Sequence, residues 1–270
     1  MGVSMNENRQ LRIGVHGATG RMGKRVCDLV HSDRRLVLAG AAADADSPEI
    51  GQDIGVVAGF GACRIPVTAV LPPDLDAVID FSVPEASAAL AADCASNGIP
   101  IVIATTGFSK EQKAAIESSA SKTALLVAAN CSLVVNILLK LAETTGKILR
   151  GRDFDVEIIE RHHRFKADAP SGTALAFARV LQATMGLDVQ RHGREGMTGA
   201  RTSNEIGLHA IRAGDNVGEH TIIFGALGET MELVHKSSSR DSYAKGAVEA
   251  AKFLVGKPPG LYSMTDVLGL

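Results

Sequence analysis

The segment LRIGVHGATGRMG at residues 11–23 gives the clearest indication of the fold, because an apolar run leads into a glycine-rich turn there. Leu11–His16 predicts a β-strand, and Met22–Val30 beyond the turn predicts a helix. Glycines let the backbone turn tightly and approach a pyrophosphate closely, while the start of the helix offers N–H groups and a positive dipole end to the anion. The segment therefore predicts a dinucleotide-binding turn.

The glycine spacing of this turn is G-x-x-G-x-x-G over Gly17–Gly23, which differs from the general G-x-G-x-x-G fingerprint. The strand–turn–helix context favours phosphate binding, and a plain glycine-rich connection is the alternative. Asp44 follows the next predicted strand, where an acidic residue can accept hydrogen bonds from ribose hydroxyls and repel a 2′-phosphate. Its neighbour is Ala45 rather than an arginine. We expect NADH to bind at least as well as NADPH, unless Asp44 is only a solvated turn residue.

Beyond this turn the chain alternates apolar runs with helical patterns as far as residue 128. The predicted strands are Leu36–Ala42, Ala77–Phe81, Ile99–Thr105 and Ala124–Ala128; the predicted helices are Glu85–Ser96 and Lys110–Ser119, with a loop at Ser47–Gly61. Continuous apolar runs separated by helices are typical of parallel strands that are covered on both faces. The pattern predicts an α/β fold with an N-terminal, doubly wound, Rossmann-like parallel sheet.

The pattern changes after Cys131, where the chain turns from α/β to α+β. The predicted elements are helix Leu133–Leu149, strand Asp155–Glu160, loop Arg161–Pro170, helix Thr173–Met185, strands Ile206–Arg212, Glu219–Ala226 and Thr230–Ser237, and helix Tyr243–Val255. These elements predict a smaller α+β domain with a mixed or antiparallel sheet. The sequence pattern does not decide on which domain the last helix packs.

Composition excludes some classes of function. The chain has 270 residues with 28 Lys and Arg against 30 Asp and Glu, a formal net charge of −2. Aromatic residues make up 4% and tryptophan is absent. A nucleic-acid-binding protein would show a basic excess, so we expect no nucleic-acid partner. The four cysteines stand far apart without a C-x-x-C pair, which predicts reduced thiols and no metal site.

Two stretches bear on cellular location. Residues 1–10 (MGVSMNENRQ) contain no apolar run, so we expect no signal peptide. The most apolar stretch, Leu133–Ala142, falls short of the ~20 residues of a membrane span. We expect a cytoplasmic protein without a membrane partner.

A cationic loop, RHHRFK at Arg161–Lys166, precedes DAPSGT at Asp168–Thr173. Histidine titrates near neutrality and can donate a proton. Ser171 can cap the helix that starts near Gly172, and the first N–H groups of that helix can hold a small carboxylate. The loop therefore predicts an anionic substrate site. A solvated basic loop is the alternative, and a metal site is disfavoured because adjacent histidine side chains diverge.

The cationic loop resembles the signature of the dihydrodipicolinate reductase family, in the run E-x-H-H-x-x-K-x-D-A-P-S-G-T-A at Glu160–Ala174. The similarity covers nearly the whole chain from Leu11 and includes Gly17–Gly23, Asp80–Ser82, Thr105–Phe108, Ala129–Asn130, Gly193–Gly196, Arg212–Gly214, Val217–His220, His235–Lys236 and Ser238–Arg240. The resemblance implies an NAD(P)H-dependent reductase of lysine and diaminopimelate biosynthesis. In this family 4-hydroxy-tetrahydrodipicolinate is reduced, via dihydrodipicolinate, by hydride addition at C4 of the cyclic imine.

The resemblance also implies roles for particular residues. His162 would be the proton donor and Lys166 a second donor. The substrate, a small dicarboxylate heterocycle, would be bound by His163, Ser171, Gly172, Thr173 and Arg240. The cofactor, NADH or NADPH, would be bound by Gly17, Ala18, Thr19, Gly20, Arg21, Met22, Asp44, Ala104, Thr105, Thr106, Ala129, Asn130 and Cys131. Cys131 departs from the Phe or Met common in the family, and Ala45 from the arginine that serves NADPH in some members.

The family pattern further implies the domain organisation. Residues 1–132 and 241–270 would form the dinucleotide-binding domain, and residues 133–240 the substrate-binding and oligomerisation domain of a homotetramer. Two other functions stay open on the sequence: a different two-domain dehydrogenase acting on another carbonyl or imine, and a dinucleotide-sensing binding protein without turnover.

Overall fold

The computed structural model describes Arg9–Leu270. Met1–Asn8, which hold most of the N-terminal segment that lacks an apolar run, lie outside the described residues. The chain forms two compact units. The first comprises the residues up to Ser132 together with Asp241–Leu270, and the second comprises Leu133–Arg240.

Between Arg9 and Leu270 the chain alternates strands and helices. The strands are β1 (Leu11–His16), β2 (Leu36–Ala42), β3 (Val67–Thr68), β4 (Ala77–Asp80), β5 (Ile101–Ile103), β6 (Ala124–Val127), β7 (Asp155–His162), β8 (Val189–His192), β9 (Glu205–Arg212), β10 (Gly218–Ala226), β11 (Glu229–Ser237) and β12 (Gly260–Tyr262). The helices are α1 (Arg21–Ser32), α2 (Ile54–Ala58), α3 (Pro84–Asn97), α4 (Lys110–Ser119), α5 (Leu133–Leu149), α6 (Gly172–Met185), α7 (Asp241–Leu254) and α8 (Met264–Leu268).

In the first unit, the described strands form a seven-stranded parallel sheet in the order β12-β6-β5-β4-β1-β2-β3. The order reverses between β1 and β4, which is the switch point where doubly wound sheets bind ligands. Strands β4 and β5 are buried along their whole length because helices cover both faces of the sheet. The predicted Rossmann-like sheet is confirmed.

Short elements of this unit escaped the sequence pattern. Helix α2 lies inside the predicted loop at Ser47–Gly61 and is held by Asp53, whose carboxylate accepts hydrogen bonds from the Gly55 and Cys63 N–H groups. Strand β12 forms by parallel pairing with β6, more than a hundred residues earlier in the chain. Elements this short carry no hydrophobic period, so only their tertiary contacts define them.

The second unit contains a five-stranded sheet in the order β11-β10-β7-β9-β8. Strand β10 runs antiparallel to β7 and β11, whereas β7, β9 and β8 are parallel. Parallel pairing arises because α6 carries the chain back after β7, and the loop at 193–204 carries it back after β8. The predicted α+β domain is therefore present with a mixed sheet. Its core, which includes Phe177, Leu181 and Phe224, lies between the sheet and helices α5 and α6.

The sheet face opposite this core carries a charge cluster centred on Glu157. The Glu157 carboxylate accepts hydrogen bonds from Arg194 (2.9 Å), Arg201 (3.0 Å) and His209 (2.7 Å). Gly207 makes room for it, since a Cβ there would lie 1.6 Å from Glu157 Oε2. Desolvation alone would raise the pKa of Glu157, but these hydrogen bonds outweigh it and lower the pKa to about 2.

This cluster predicts an acid-sensitive second unit. Because the pKa of Glu157 is lower in the folded than in the unfolded chain, its stabilisation is present above about pH 4.5 and is lost as the pH falls towards 2. We expect Glu157→Gln to reduce the free energy of unfolding near neutral pH and to flatten its decline below about pH 4.5. Urea unfolding followed by circular dichroism across this range measures both effects. Glu232→Gln, an exposed position, is the control; equal slopes in wild type and Glu157→Gln would contradict the prediction.

Candidate functional site

The glycine turn between β1 and α1 is built for close backbone approach. Gly17 has φ +72°, and a Cβ there would lie 2.5 Å from the Phe81 carbonyl oxygen. At Gly23 a Cβ would lie 2.1 Å from the Gly17 carbonyl oxygen. Gly20 is the N-cap of α1 and carries no side chain that could cap the first N–H groups. These groups fit an anion, so the turn suits the pyrophosphate of a dinucleotide.

The other residues predicted to bind the cofactor follow the carboxyl ends of the same sheet. Asp44 is exposed just after β2, and one of its carboxylate oxygens accepts a hydrogen bond from the Asp46 N–H group. Ala104–Thr106 follow β5, and Ala129–Cys131 follow β6. Parallel strands end at a common edge, so the structure places these residues along one edge with the glycine turn.

Within the glycine turn the predicted residues fall into two groups. The Ala18 N–H group donates to the Ala42 carbonyl oxygen (2.9 Å), so Ala18 ties the turn to β2. Thr19 and Met22 are half-buried and Arg21 is exposed, so their side chains lie at the rim of the turn.

A buried carboxylate, Asp80, organises this edge and was missed as a site residue. It ends β4, is fully buried, and accepts hydrogen bonds from His16 Nδ1 (2.6 Å), Thr105 Oγ1 (2.8 Å) and Ser87 Oγ. Burial alone would raise its pKa, but the hydrogen bonds, first of all that from His16, lower it. Asp80 therefore joins β1, α3 and the loop after β5. The signal available in the sequence was its place at the end of a buried strand.

Two of the residues predicted to bind the cofactor make contacts within the protein itself: Thr105 belongs to the Asp80 network, and Cys131 is packed in the core. Thr105 Oγ1 donates to Asp80 and accepts from the Ser82 N–H group (3.1 Å), so its hydroxyl serves the scaffold. Cys131 is buried, and its carbonyl oxygen packs where a Cβ on Gly246 of α7 would lie 1.7 Å away. Burial also raises the pKa of the Cys131 thiol to about 12. Contact of either residue with the nicotinamide stays a prediction.

In the second unit, His162 is fixed at the end of β7. Its ring is buried, and Nδ1 lies 2.5 Å from Glu160 Oε2. An ionised carboxylate can only accept hydrogen bonds, so Nδ1 carries a proton and Nε2 is the ring atom left for proton exchange. The geometry orients a general acid or base of defined tautomer.

Glu160 is the centre of this arrangement. Besides His162, it accepts two hydrogen bonds from the Arg212 guanidinium, at 2.8 Å each, and one from the Ser171 N–H group at 3.0 Å. Desolvation raises its pKa, but the hydrogen bonds from His162 and Arg212 outweigh this and lower the pKa to about 2. Glu160 and Arg212 were not predicted as site residues, although both lie in the segments that carry the family resemblance.

The remaining residues predicted for the substrate lie around the start of α6 and in the loop before it. Ser171 is the N-cap of α6, as predicted, and its Oγ accepts from the Ala174 N–H group at 3.2 Å. Gly172 is exposed, while Thr173 and His163 are half-buried. Glu160 thus brings His162 and Ser171 together in one network.

Two further predicted residues are less closely joined to that network. The Lys166 ammonium group donates to Asp168 Oδ1 at 2.7 Å. Arg240 is exposed beyond β11, and its part in substrate binding stays a prediction. Between Arg9 and Leu270, no group of His, Cys, Asp and Glu side chains could hold a metal ion.

Two family models match the chain: "Dihydrodipicolinate reductase, N-terminus" over residues 11–131 and "Dihydrodipicolinate reductase, C-terminus" over residues 134–268. The chain belongs to the dihydrodipicolinate reductase family. It is 50% identical to the 4-hydroxy-tetrahydrodipicolinate reductase of Rhodopirellula baltica, over 96% of both chains. It is 47% identical to that of Hahella chejuensis, over 96% of this chain and 99% of the relative.

A solved structure agrees with this family. The dipicolinate-bound dihydrodipicolinate reductase of Paenisporosarcina sp. TG-14 superposes with a TM-score of 0.76 and 27% identity, over 95% of this chain and 98% of that one. An amine dehydrogenase from Mycobacterium smegmatis, at 15% identity and a TM-score of 0.64, shares the fold. This chain is a reductase whose Rossmann-like unit binds a nicotinamide dinucleotide. The family decides against a dinucleotide-sensing protein without turnover and against a different two-domain dehydrogenase that acts on another carbonyl or imine.

Proposed function

We propose that this chain reduces 4-hydroxy-tetrahydrodipicolinate, via dihydrodipicolinate, to tetrahydrodipicolinate in lysine and diaminopimelate biosynthesis, with His162 as the proton donor. The observation that carries the proposal is the hydrogen bond of His162 to the buried, ionised Glu160. Glu160 also accepts a hydrogen bond from the N–H group of Ser171, the N-cap of α6. A proton donor and a site for a carboxylate are thereby held on one network.

The chemistry needs few groups from the chain. A bound nicotinamide dinucleotide supplies the hydride, which is added at C4 of the conjugated cyclic imine. The electron pair displaced towards the ring nitrogen requires a proton, which His162 provides from Nε2 when its ring is doubly protonated. Glu160 stabilises that imidazolium through Nδ1, and such general acid catalysis contributes about 10²–10⁴-fold. Lys166 is the second donor, and its pairing with Asp168 holds it in the loop.

The substrate is a diacid, and the chain offers separate groups for its two carboxylates. The start of α6, with Gly172 and Thr173, suits one carboxylate, because the N-terminal end of a helix favours an anion. His163, whose buried Nδ1 has no hydrogen-bond partner among the described residues, is a candidate for the other, together with Arg240. Gly172 is exposed, so its backbone is open to a ligand.

The test of the proposed reaction is a direct assay. The purified chain is mixed with NADH and freshly generated substrate, and the loss of NADH absorbance is followed. Turnover that depends on the substrate, and inhibition by dipicolinate, are the expected results. Binding of NADH without any turnover of this substrate would refute the proposal.

For the cofactor, we propose that NADH is used at least as well as NADPH. Asp44 supports this, because a carboxylate at the end of β2 accepts hydrogen bonds from the ribose hydroxyls and repels a 2′-phosphate. We expect Asp44→Ser to lower the ratio of kcat/KM for NADH to that for NADPH by about tenfold, the loss of a charge-assisted hydrogen bond. Asp46→Ser is the matched control. A strong NADPH preference in the wild type would show that Asp44 has no such role.

We also propose a homotetramer that assembles through the second unit. Apolar side chains on the sheet face opposite the core, such as Ile211 and Val234, are each 43% exposed. Such exposed apolar groups are typical of interfaces between subunits. A mass by light scattering about four times that of one chain would support the tetramer, and that of a single chain would refute it.

The cytoplasm is the compartment we propose for this enzyme. Three of the four cysteines, Cys27, Cys94 and Cys131, are buried free thiols, which suits a reducing compartment. None of the helices from Arg9 to Leu270 combines the length and the apolar composition that a bilayer span requires.

A further inference from the structure

A row of three imidazoles crosses the second unit, and the proposed mechanism uses only one of them. His220 on β10 lies edge-on to His162, with ring centroids 5.3 Å apart, and is stacked on His235 of β11 at 5.8 Å. His220 is 1% exposed and also contacts Phe177. Because His220 is buried beside the proton donor, its hydrogen bonds determine which of its ring nitrogens carries a proton.

The protonation of His220 follows from its partners. Burial, with the nearby charge of His162 adding to it, lowers the pKa of His220 to about 3, so the ring is neutral and carries one proton. Its Nε2 lies 3.1 Å from Ser171 Oγ, whereas its buried Nδ1 has no hydrogen-bond partner among the described residues. A buried N–H group without an acceptor is rarer and less tolerated than an unpaired acceptor. The proton therefore resides on Nε2 and is donated to Ser171.

The hydroxyl of Ser171 is then fully used as an acceptor. It receives hydrogen bonds from the Ala174 N–H group (3.2 Å) and from His220 Nε2 (3.1 Å), and a hydroxyl has two acceptor positions. Its own O–H must donate elsewhere. Glu160 is not available, because a carboxylate has about four acceptor positions and four donors already occupy them.

We propose that His220 is a positioning residue, which directs the hydroxyl of Ser171 as a hydrogen-bond donor towards a carboxylate of the substrate. Ser171 is 2% exposed and caps α6, so its hydroxyl lies at the start of the helix, where the helix dipole favours an anion. A hydroxyl that can only donate a hydrogen bond favours a carboxylate over a ligand N–H group. The inference rests on the proposed function, because it assumes that the substrate binds at this helix start.

Three variants separate this role from a purely structural one. His220→Phe keeps an aromatic ring against His162 and His235 but removes the donor. His220→Gln retains an N–H group near the position of Nε2. Ser171→Ala removes the hydroxyl itself. NADH binding and thermal unfolding of each variant establish that the fold is intact.

The experiment measures the dipicolinate Kd, the substrate KM and kcat for the single variants and for the double variant Ser171→Ala/His220→Phe. We expect His220→Phe to raise Kd and KM about tenfold with kcat within about twofold, the effect of one lost hydrogen bond to a charged group. His220→Gln should restore most of the binding, and the double variant should bind no more weakly than Ser171→Ala alone.

Two different failures are distinguishable. If the two single effects add in the double variant, or if His220→Phe lowers kcat and leaves KM unchanged, His220 does not act through Ser171 and the inference is overturned. If the wild type neither binds dipicolinate nor turns over the substrate, the proposed function itself fails.

Discussion

Replacing His162 with asparagine is expected to lower kcat by about 10²–10⁴-fold, the loss that removal of a general acid produces. The Asn amide can still donate to Glu160 from near the position of Nδ1, so the buried carboxylate keeps a partner. It has no proton to transfer at the position of Nε2. We therefore expect KM and the affinity for NADH to change by less than about threefold.

The measurement is steady-state kinetics with freshly generated substrate, together with NADH titration by fluorescence. His192→Asn, an exposed histidine at the end of β8, is the control and should behave as the wild type. A His162→Asn variant that retains wild-type kcat would show that the proton comes from another group, of which Lys166 is the first candidate.

The parts of this molecule that sequence predicts well are those encoded locally. The glycine turn after Leu11–His16 and the apolar runs of the parallel strands need only neighbouring residues to define them, and the Rossmann-like sheet is confirmed. The cap of α6 by Ser171 is likewise a local signal. Short elements such as β3 and β12 are defined by pairing with distant strands, and so they were missed.

The candidate site shows the same difference between features that neighbouring residues encode and features that depend on distant contacts. The histidines of the cationic loop carry a chemical signal of their own, which predicted an anionic substrate site with a proton donor, and the family resemblance then implied His162 as that donor. The residue that orients it, Glu160, receives Arg212 from 52 positions further along the chain. No local pattern encodes that pairing, nor the burial that makes it strong. Asp80 was missed for the same reason, since its partners His16 and Thr105 meet it only across the sheet.

Glu160→Gln is expected to affect both catalysis and stability. The neutral amide offers one acceptor oxygen, and its NH₂ group faces the donors His162 and Arg212. The imidazolium of His162 loses its stabilising carboxylate, so we expect kcat to fall by about 100-fold, with a smaller change in the affinity for NADH. Arg212 is left without an anionic partner at a largely buried position, so the free energy of unfolding should fall by about 3 kcal/mol.

Kinetics and urea unfolding of the same preparation measure the two effects. Glu219→Gln is the control: its carboxylate pairs with Arg161 at 3.6 Å near the surface, where an ion pair contributes less than about 1 kcal/mol. Acidification supplies an independent check, because the lowered pKa of Glu160 makes its stabilisation decline as the pH falls from about 4.5 towards 2. The variant should lose that part of the pH dependence. If Glu160→Gln keeps wild-type kcat, the carboxylate does not orient the proton donor, and a loss of stability alone would limit Glu160 to holding β7, β9 and the start of α6 together.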